Sequence, residues 1–199
     1  PGISISSQHF ADQGFCTCPR CIEQQRKSGL SWVEWRAKTV TDFLAEVKEV
    51  VQGKPLFVNI LPDPLLAKER FGYDFEAMTQ YTDYFVIPMF SKAYPSPWYW
   101  ETIARGFKSK LKKPTFVNFY VRGPNETWET VATTQQIMTV ATRVARQGID
   151  GVIFLAEKAE YIQKFQKEAA ADKVTREFLK DHGGDDVLDL FARWEKIYS

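Results

Sequence analysis

The sequence predicts an α/β fold with a parallel sheet, and three observations support this prediction. Four short segments rich in β-branched and aromatic residues are bounded by Pro, Gly or polar residues, as buried strands are. They span residues 55–61, 84–90, 114–121 and 149–155. Helical patterns separate them, and the strand starts recur at intervals of about 30 residues, which is typical of repeated βαβ units. Each strand is apolar almost throughout, which indicates that helices cover both faces of the sheet.

The helices are marked by residues that can cap their first turns. A Ser or Thr stands immediately before three segments with helical periodicity, at Ser31, Ser96 and Thr133. Ser31 and Glu34 also have the S-x-x-E spacing of a capping box, which predicts a helix from there to Gly53. A shorter helix is expected over residues 74–81, and residues 2–5 resemble the end of a strand that precedes all the others.

The C-terminal part departs from this alternation. Residues 158–182 are predicted to be helical, two glycines at 183 and 184 interrupt the pattern, and Asp185 caps a last amphipathic helix. We therefore divide the chain into a sheet-containing region, residues 1–157, and a C-terminal helical segment, residues 158–199, that packs on the same domain.

Charge and hydropathy exclude two classes of partner. The chain has 199 residues, with 26 Lys and Arg against 25 Asp and Glu, for a formal net charge of +1. The basic residues are scattered, so no surface suited to nucleic acid is predicted. The apolar runs are far shorter than the roughly 20 residues of a membrane-spanning helix, so no membrane association is expected.

All the cysteines lie close together, at Cys16, Cys18 and Cys21. Thiolates at C-x-C-x-x-C spacing can converge on one tetrahedral zinc ion, with His9 as a candidate fourth ligand. The sequence therefore predicts a structural zinc site. The alternatives are three reduced thiols in a turn, or one disulfide with a spare thiol. Thiols that ligate a metal indicate a reducing compartment, so a cytoplasmic location is expected.

Candidate substrate-binding residues lie at or after the ends of the predicted strands. In parallel α/β proteins the loops that leave the carboxyl ends of the strands gather at one face, where ligands bind. The polar and aromatic residues expected at that face are Gln8, His9, Asn59, Tyr94, Trp98, Trp100, Asn118, Tyr120 and Arg122. Rings beside hydrogen-bonding groups suit a sugar, because aliphatic ring faces stack on aromatics while polar groups orient the hydroxyls. The alternative is structural: a polar layer within the sheet, and tryptophans that cap the core.

Two carboxylates stand at strand ends, Asp63 and Glu157. Hydrolysis of a glycosidic bond takes two carboxyl groups, one of which acts as the acid while the other is a nucleophile or a base. Asp63 and Glu157 are therefore the candidate catalytic pair. The alternative is that each is only a solvated surface charge.

The cysteine loop carries a family resemblance. Residues 15–21, Phe-Cys-Thr-Cys-Pro-Arg-Cys, followed by the helix start at residues 32–35, resemble the loop after the fourth strand in zinc-containing β-galactosidases, which are (β/α)8-barrel glycoside hydrolases. They also resemble that loop in related uncharacterised putative glycosidases, whose sixth strand is similar to residues 81–90. The resemblance implies an incomplete parallel (β/α) barrel of TIM type. It would have about five strands within residues 1–157, lack the first three βα units, and end in C-terminal helices.

The resemblance implies a glycosidase, yet the chain departs from the family at both catalytic positions. The family carries an Asn-Glu pair after its fourth strand, where this chain has Ser-Ser-Gln-His at residues 6–9. It carries a glutamate nucleophile at the end of strand seven, where this chain has Tyr120 and Arg122.

Two hypotheses follow from the match and the departures. One is a glycoside hydrolase-like barrel that acts on or binds carbohydrate. The other is a non-catalytic relative that keeps the fold and the zinc site and serves as a binding or assembly subunit. Because five strands leave two open sheet edges, we expect a homo-oligomer or association with a missing N-terminal segment.

Overall fold

The structure, a computed structural model, describes residues 2–6, 8–10, 16–89, 96–122, 132–173 and 177. It contains a five-stranded parallel sheet whose strands adjoin in chain order. The strands are β1 (Ile3–Ile5), β2 (Leu56–Asn59), β3 (Tyr84–Met89), β4 (Thr115–Arg122) and β5 (Gly151–Ala156). In the register of the first three strands, Ile5 pairs with Val58, which in turn pairs with Phe85. The predicted parallel α/β architecture is therefore confirmed.

Helices alternate with these strands. In the described part of the chain they are α1 (Pro19–Ser28), α2 (Trp32–Val50), α3 (Ala67–Phe71), α4 (Phe75–Met78), α5 (Pro97–Lys108), α6 (Thr134–Ala145) and α7 (Ala159–Ala171). The helix starts predicted after Ser31, Ser96 and Thr133 are confirmed. Ser31 accepts the N–H of Glu34 at 3.2 Å, and Thr133 forms a full capping box with Gln136. The helix predicted after residue 185 lies outside the described residues. Among the described helices, none is long and apolar enough to cross a membrane.

The chain divides into two compact units. The first comprises residues 1–88, 102–117 and 148–151, and the second comprises residues 89–101, 118–147 and 152–199. The sequence division predicted at residue 157 stays a prediction.

The core of the first unit is built from alternate residues of the strands and one face of α2. Leu56 and Val58 of β2, and Ile60 just after it, are fully buried, whereas Phe57 and Asn59 between them are half-buried, so one face of the strand is the more deeply buried. On α2, Val40 and Leu44 are buried on the apolar stripe that the sequence predicts.

Gly151, the first residue of β5, marks a close approach in this unit. A Cβ atom at this position would lie 2.2 Å from Cε1 of Phe116. That ring also packs against Tyr84, with centroids 5.6 Å apart, and Tyr84 stacks on Phe57 at 4.5 Å. The aromatic cluster leaves no room for a side chain where β5 begins.

The amino ends of the strands are tied down by ion pairs. Asp83, the residue before β3, accepts the N–H of Leu56, the first residue of β2, at 2.7 Å. The same carboxylate pairs with Lys48 near the end of α2. Partial burial acts to raise the pKa of Asp83, but the contacts with Lys48 and the Leu56 N–H outweigh it, so the pKa is below its usual range.

The same arrangement recurs two strands further along the sheet. Asp150, the residue before β5, accepts the N–H of Thr115, the first residue of β4, at 2.9 Å and pairs with Lys108 at 3.0 Å. Lys108 is the last residue of α5. Partial burial opposes the shift here too, yet the Thr115 N–H and Lys108 hold the pKa of Asp150 below its usual range. We call Lys48–Asp83 and Lys108–Asp150 the amino-edge ion pairs.

Candidate metal centre

The three cysteines lie where the segment after β1 enters α1. Cys18 is the N-cap of α1, Pro19 is its first residue, and Cys21 lies in its first turn. Proline suits the first helical position because its fixed φ matches the helix and it has no N–H to leave unpaired. The C-P-x-C spacing therefore brings the Cys18 and Cys21 side chains to the same end of the helix.

The geometry of the cluster fits a thiolate-bound metal. The Sγ atoms of Cys16, Cys18 and Cys21 all lie within 4.8 Å of one another. Two sulfurs bound to one tetrahedral zinc ion are about 3.8 Å apart, given Zn–S bonds of about 2.3 Å, so a small contraction would close the site. All three are free thiols, in contrast to the disulfide alternative. The predicted grouping of these cysteines is confirmed, and the identity of the metal stays a prediction.

The thiols of the cluster differ in their acidity. The backbone N–H of Cys21, followed by the side chains of Cys21 and Cys16, lowers the pKa of Cys18. Desolvation, together with the neighbouring thiols, raises the pKa of Cys21 to about 11. Several adjacent thiolates repel one another, and a bound cation removes that repulsion.

In the described part of the chain, the potential metal ligands that lie together are the three cysteine sulfurs, and His9 is not part of this group. Its Nδ1 lies 2.8 Å from the carbonyl oxygen of Phe10, to which the Nδ1-protonated ring donates. Its ring packs edge-on against Phe71 and Tyr73, with centroids 5.9 and 6.0 Å apart. A role for His9 as fourth ligand stays a prediction.

Residues 8–10, which follow β1, are anchored on α2 and α3. The N–H of Phe10 donates to the carbonyl of Phe71 at 3.2 Å. The guanidinium of Arg36 lies 4.6 Å from the centroid of the Phe10 ring. Arg36 is fully buried and donates to the carbonyls of Glu69 at 3.0 Å and Arg70 at 2.7 Å, near the end of α3. A charged group with such partners holds this segment firmly to the unit.

Gln8 and Asn59 lie at the carboxyl ends of β1 and β2. The Asn59 amide donates to the carbonyl of Ile5 at 2.7 Å and to the hydroxyl of Ser4 at 3.0 Å, so it joins the two strands. Gln8 is buried and donates to the backbone carbonyl of Asn59. Its Oε1 atom is buried without a hydrogen-bond partner.

Asp63 follows β2 and is engaged within its own loop. Its carboxylate accepts the N–H groups of Leu65 at 3.1 Å and Leu66 at 2.9 Å, and it pairs with Arg70 at 2.7 Å. Partial burial acts to raise the pKa of Asp63, but these three contacts outweigh it and hold the pKa below its usual range. Asp63 is therefore ionised at neutral pH and is unsuited to act as a general acid.

Glu157 follows directly after β5 and is exposed to solvent. It belongs to the second unit, whereas Asp63 belongs to the first. The catalytic pairing of these two carboxylates stays a prediction.

The candidate substrate residues of β4 differ in burial. Asn118 is buried, and its Oδ1 atom has no hydrogen-bond partner. Tyr120 and Arg122 are half-buried. The Arg122 guanidinium lies over the ring of Tyr161 in α7, 4.3 Å from its centroid.

The two candidate tryptophans lie on different faces of α5. Trp98 is 65% exposed, whereas Trp100 is 2% exposed. The indole of Trp98 is therefore accessible to a ligand, and that of Trp100 is part of the core, as the structural alternative proposes. Tyr94, the third aromatic candidate of this segment, lies outside the described residues.

Two residues near Arg122, Tyr161 and Lys164, carry no strand-end or motif signal in the sequence. They are three residues apart on α7 and so share one face of that helix. The contact of the Tyr161 ring with Arg122, and the place of both residues in the lining of one cavity, distinguish them from other polar positions of α7.

No protein-family model matches this chain, and no curated protein matches it significantly.

Proposed function

We propose that this chain is a carbohydrate-binding α/β barrel of the glycoside hydrolase type, in which zinc held by Cys16, Cys18 and Cys21 fixes the loop after β1. The observation that carries the proposal is the convergence of the three thiols at the start of α1, the helix that follows β1 in the chain. The cysteine spacing of the resembling galactosidases falls at this place, and thiolates prefer soft metals such as zinc over magnesium or calcium.

The role of the metal in this proposal is structural. Zinc binding to thiolates stabilises the local fold, because the binding free energy is gained only when the ligands are brought together. Gln8 precedes Phe10, so the Arg36 contact would hold the chain just after Gln8 and the metal would hold it at the start of α1.

A sugar hydroxyl would supply the hydrogen bond that a buried amide lacks. The Oδ1 atom of Asn118, which lies in the same unit as Trp98, is buried without a partner. Leaving such an acceptor unsatisfied costs about 1–3 kcal/mol, which a donating ligand hydroxyl offsets. The exposed ring of Trp98 offers an apolar face for a sugar.

The lowered pKa and the fixed partners of Asp63 favour binding over hydrolysis. A glycosidase needs one carboxyl with a raised pKa as its acid, and Asp63 instead has a lowered pKa and a fixed set of partners. Hydrolysis remains the second candidate because Glu157 is an exposed carboxylate at the end of β5.

The barrel proposal also includes association. Ile3 on β1 and Leu155 on β5 are 36% and 42% exposed, and these strands are the outer ones of the sheet. Pairing with a second copy of the chain, or with further strands of the barrel, would cover the outer strands. A solution mass of 23.0 kDa for this chain alone, constant over concentration, would contradict pairing between copies.

A panel of nitrophenyl glycosides tests binding and turnover together. We expect the full chain to bind at least one glycoside without releasing nitrophenol, and to lose binding in Asn118→Leu. Turnover that is lost in Glu157→Gln but kept in Glu160→Gln, a matched exposed position in α7, favours the second candidate. If the chain neither binds nor hydrolyses any glycoside of the panel, the proposal is contradicted.

A further inference from the structure

The second unit contains a cavity that the carbohydrate proposal does not use. It has a volume of about 310 Å³ and lies between the end of β4, the start of α6 and one face of α7. Sites for small molecules have volumes from about 300 to 1,000 Å³ and are mostly apolar with a few polar groups. This cavity is at the small end of that range.

The floor of the cavity is apolar. Val121, Ile137 and Phe165 line it, and they are 6%, 1% and 3% exposed. A ligand that enters would therefore bury an apolar body against side chains that are already fixed by packing.

The remaining walls carry an excess of positive charge. Among the lining residues that the structure describes, Arg122 and Lys164 are basic and Glu168 is acidic, which gives these residues a formal charge of +1. Glu168 accepts from the hydroxyl of Thr134 and lies 3.8 Å from Lys164. These contacts hold the carboxylate on the side of the cavity where α6 and α7 face each other.

Arg122 is oriented by an aromatic ring. Its guanidinium lies 4.3 Å from the centroid of Tyr161, which also lines the cavity. A cation held against a ring keeps its position, and the donors of a planar guanidinium match the two oxygens of a carboxylate. Because Arg122 occupies the Tyr161 ring, that ring is unsuited to stack on a sugar.

We propose that this cavity binds a small monocarboxylic acid with an apolar body. The acid places its carboxylate at Arg122, near Lys164, and its apolar part on the floor formed by Ile137 and Phe165. One negative charge balances the formal charge of the described lining residues, whereas a phosphate dianion adds a charge that Glu168 repels.

Titration calorimetry with three matched probes tests the proposal on the full chain. The probes are benzoate, its neutral isostere benzamide, and phenyl phosphate. We expect benzoate to bind with a millimolar or lower dissociation constant, and benzamide and phenyl phosphate to bind at least tenfold more weakly. Equal affinity for benzamide, tighter binding of phenyl phosphate, or no binding of benzoate would overturn the proposal.

Variants locate the site. Arg122→Gln is expected to weaken benzoate binding at least tenfold, whereas Arg146→Gln, an exposed position at the end of α6 and outside the cavity lining, leaves it unchanged. If Arg122→Gln fails to fold by circular dichroism, Lys164→Gln serves instead, because its side chain is 58% exposed. Equal effects of the cavity variant and Arg146→Gln would overturn the assignment.

Discussion

Two groups of polar side chains in the sheet region differ in their hydrogen bonding. At the amino edge, Asp83 and Asp150 each accept the first N–H of a strand and pair with a lysine. By contrast, Gln8, just after β1, and Asn118, in the middle of β4, are each buried with an amide oxygen that has no partner. Buried polar groups are normally hydrogen-bonded, so the paired carboxylates at the amino ends stabilise the strands, whereas the unpaired amide of Asn118 is the group that the proposed sugar would satisfy.

The largest change in the free energy of unfolding is expected at Gly151, the tightly packed first residue of β5. Gly151→Ala places a Cβ atom 2.2 Å from Cε1 of Phe116, so the ring must move. We expect the free energy of unfolding to fall by about 3 kcal/mol, measured by urea denaturation. In Phe116→Ala the same alanine should cost much less, because both colliding ring atoms, Cε1 at 2.2 Å and Cδ1 at 2.4 Å, are removed. Equal costs in the two backgrounds would mean that Phe116 does not limit the site.

Two asparagines, one with hydrogen-bond partners and one with an unpaired oxygen, sharpen this comparison. Asn59→Leu removes two donated hydrogen bonds and should lower the free energy of unfolding by about 2 kcal/mol. Asn118→Leu removes a buried oxygen without a partner and should change the unfolding free energy by less than about 1 kcal/mol. The two variants are compared in one urea series. A larger loss in Asn118→Leu than in Asn59→Leu would show that Asn118 is a structural residue.

The amino-edge ion pairs should each contribute modestly. Asp150→Ala leaves the N–H of Thr115 without its acceptor and Lys108 without its partner. Because both charged side chains are 39% exposed, solvent screens the pair, and we expect a loss of about 1 kcal/mol by urea denaturation. Glu160→Ala, an exposed carboxylate on α7, is the control and should have no effect within error.

The smallest effect is the response of the amino edge to acid. The pKa values of Asp83 and Asp150 are lowered in the folded chain, so ionisation of these carboxylates favours folding. Their contribution is complete above the unfolded pKa of about 4 and is lost as the pH falls through the lower folded values. Urea midpoints should therefore drop below pH 4 more steeply in the wild type than in Asp83→Asn/Asp150→Asn. Parallel pH profiles would contradict this assignment.

Features set by neighbours in sequence could be predicted, because their physics is local. The strand predicted at 114–121 forms as Thr115–Arg122, and the capping box at Thr133 forms as its spacing requires. The grouping of the cysteines likewise follows from spacing around a helix start at Pro19.

Features set by distant partners were beyond prediction. Helix α1 has no buried residue, so no apolar stripe marks it in the sequence. Helix α3 begins after Leu66, which cannot cap it, and its end is instead held by Arg36, about 33 residues earlier in the chain. The position of Asp63 after a strand likewise does not predict its ion pair with Arg70 or its hydrogen bond from the Leu66 N–H.

The zinc content of the chain is the most direct test of the claim that Cys16, Cys18 and Cys21 hold a structural metal in the loop after β1. Elemental analysis of the wild type, purified without added metal, should give one zinc per chain. Cys18→Ser should lower this value at least severalfold, while Ser28→Ala, a position at the end of α1 away from the cluster, should keep it. A wild type without zinc that cannot be loaded by added Zn²⁺ would contradict the account.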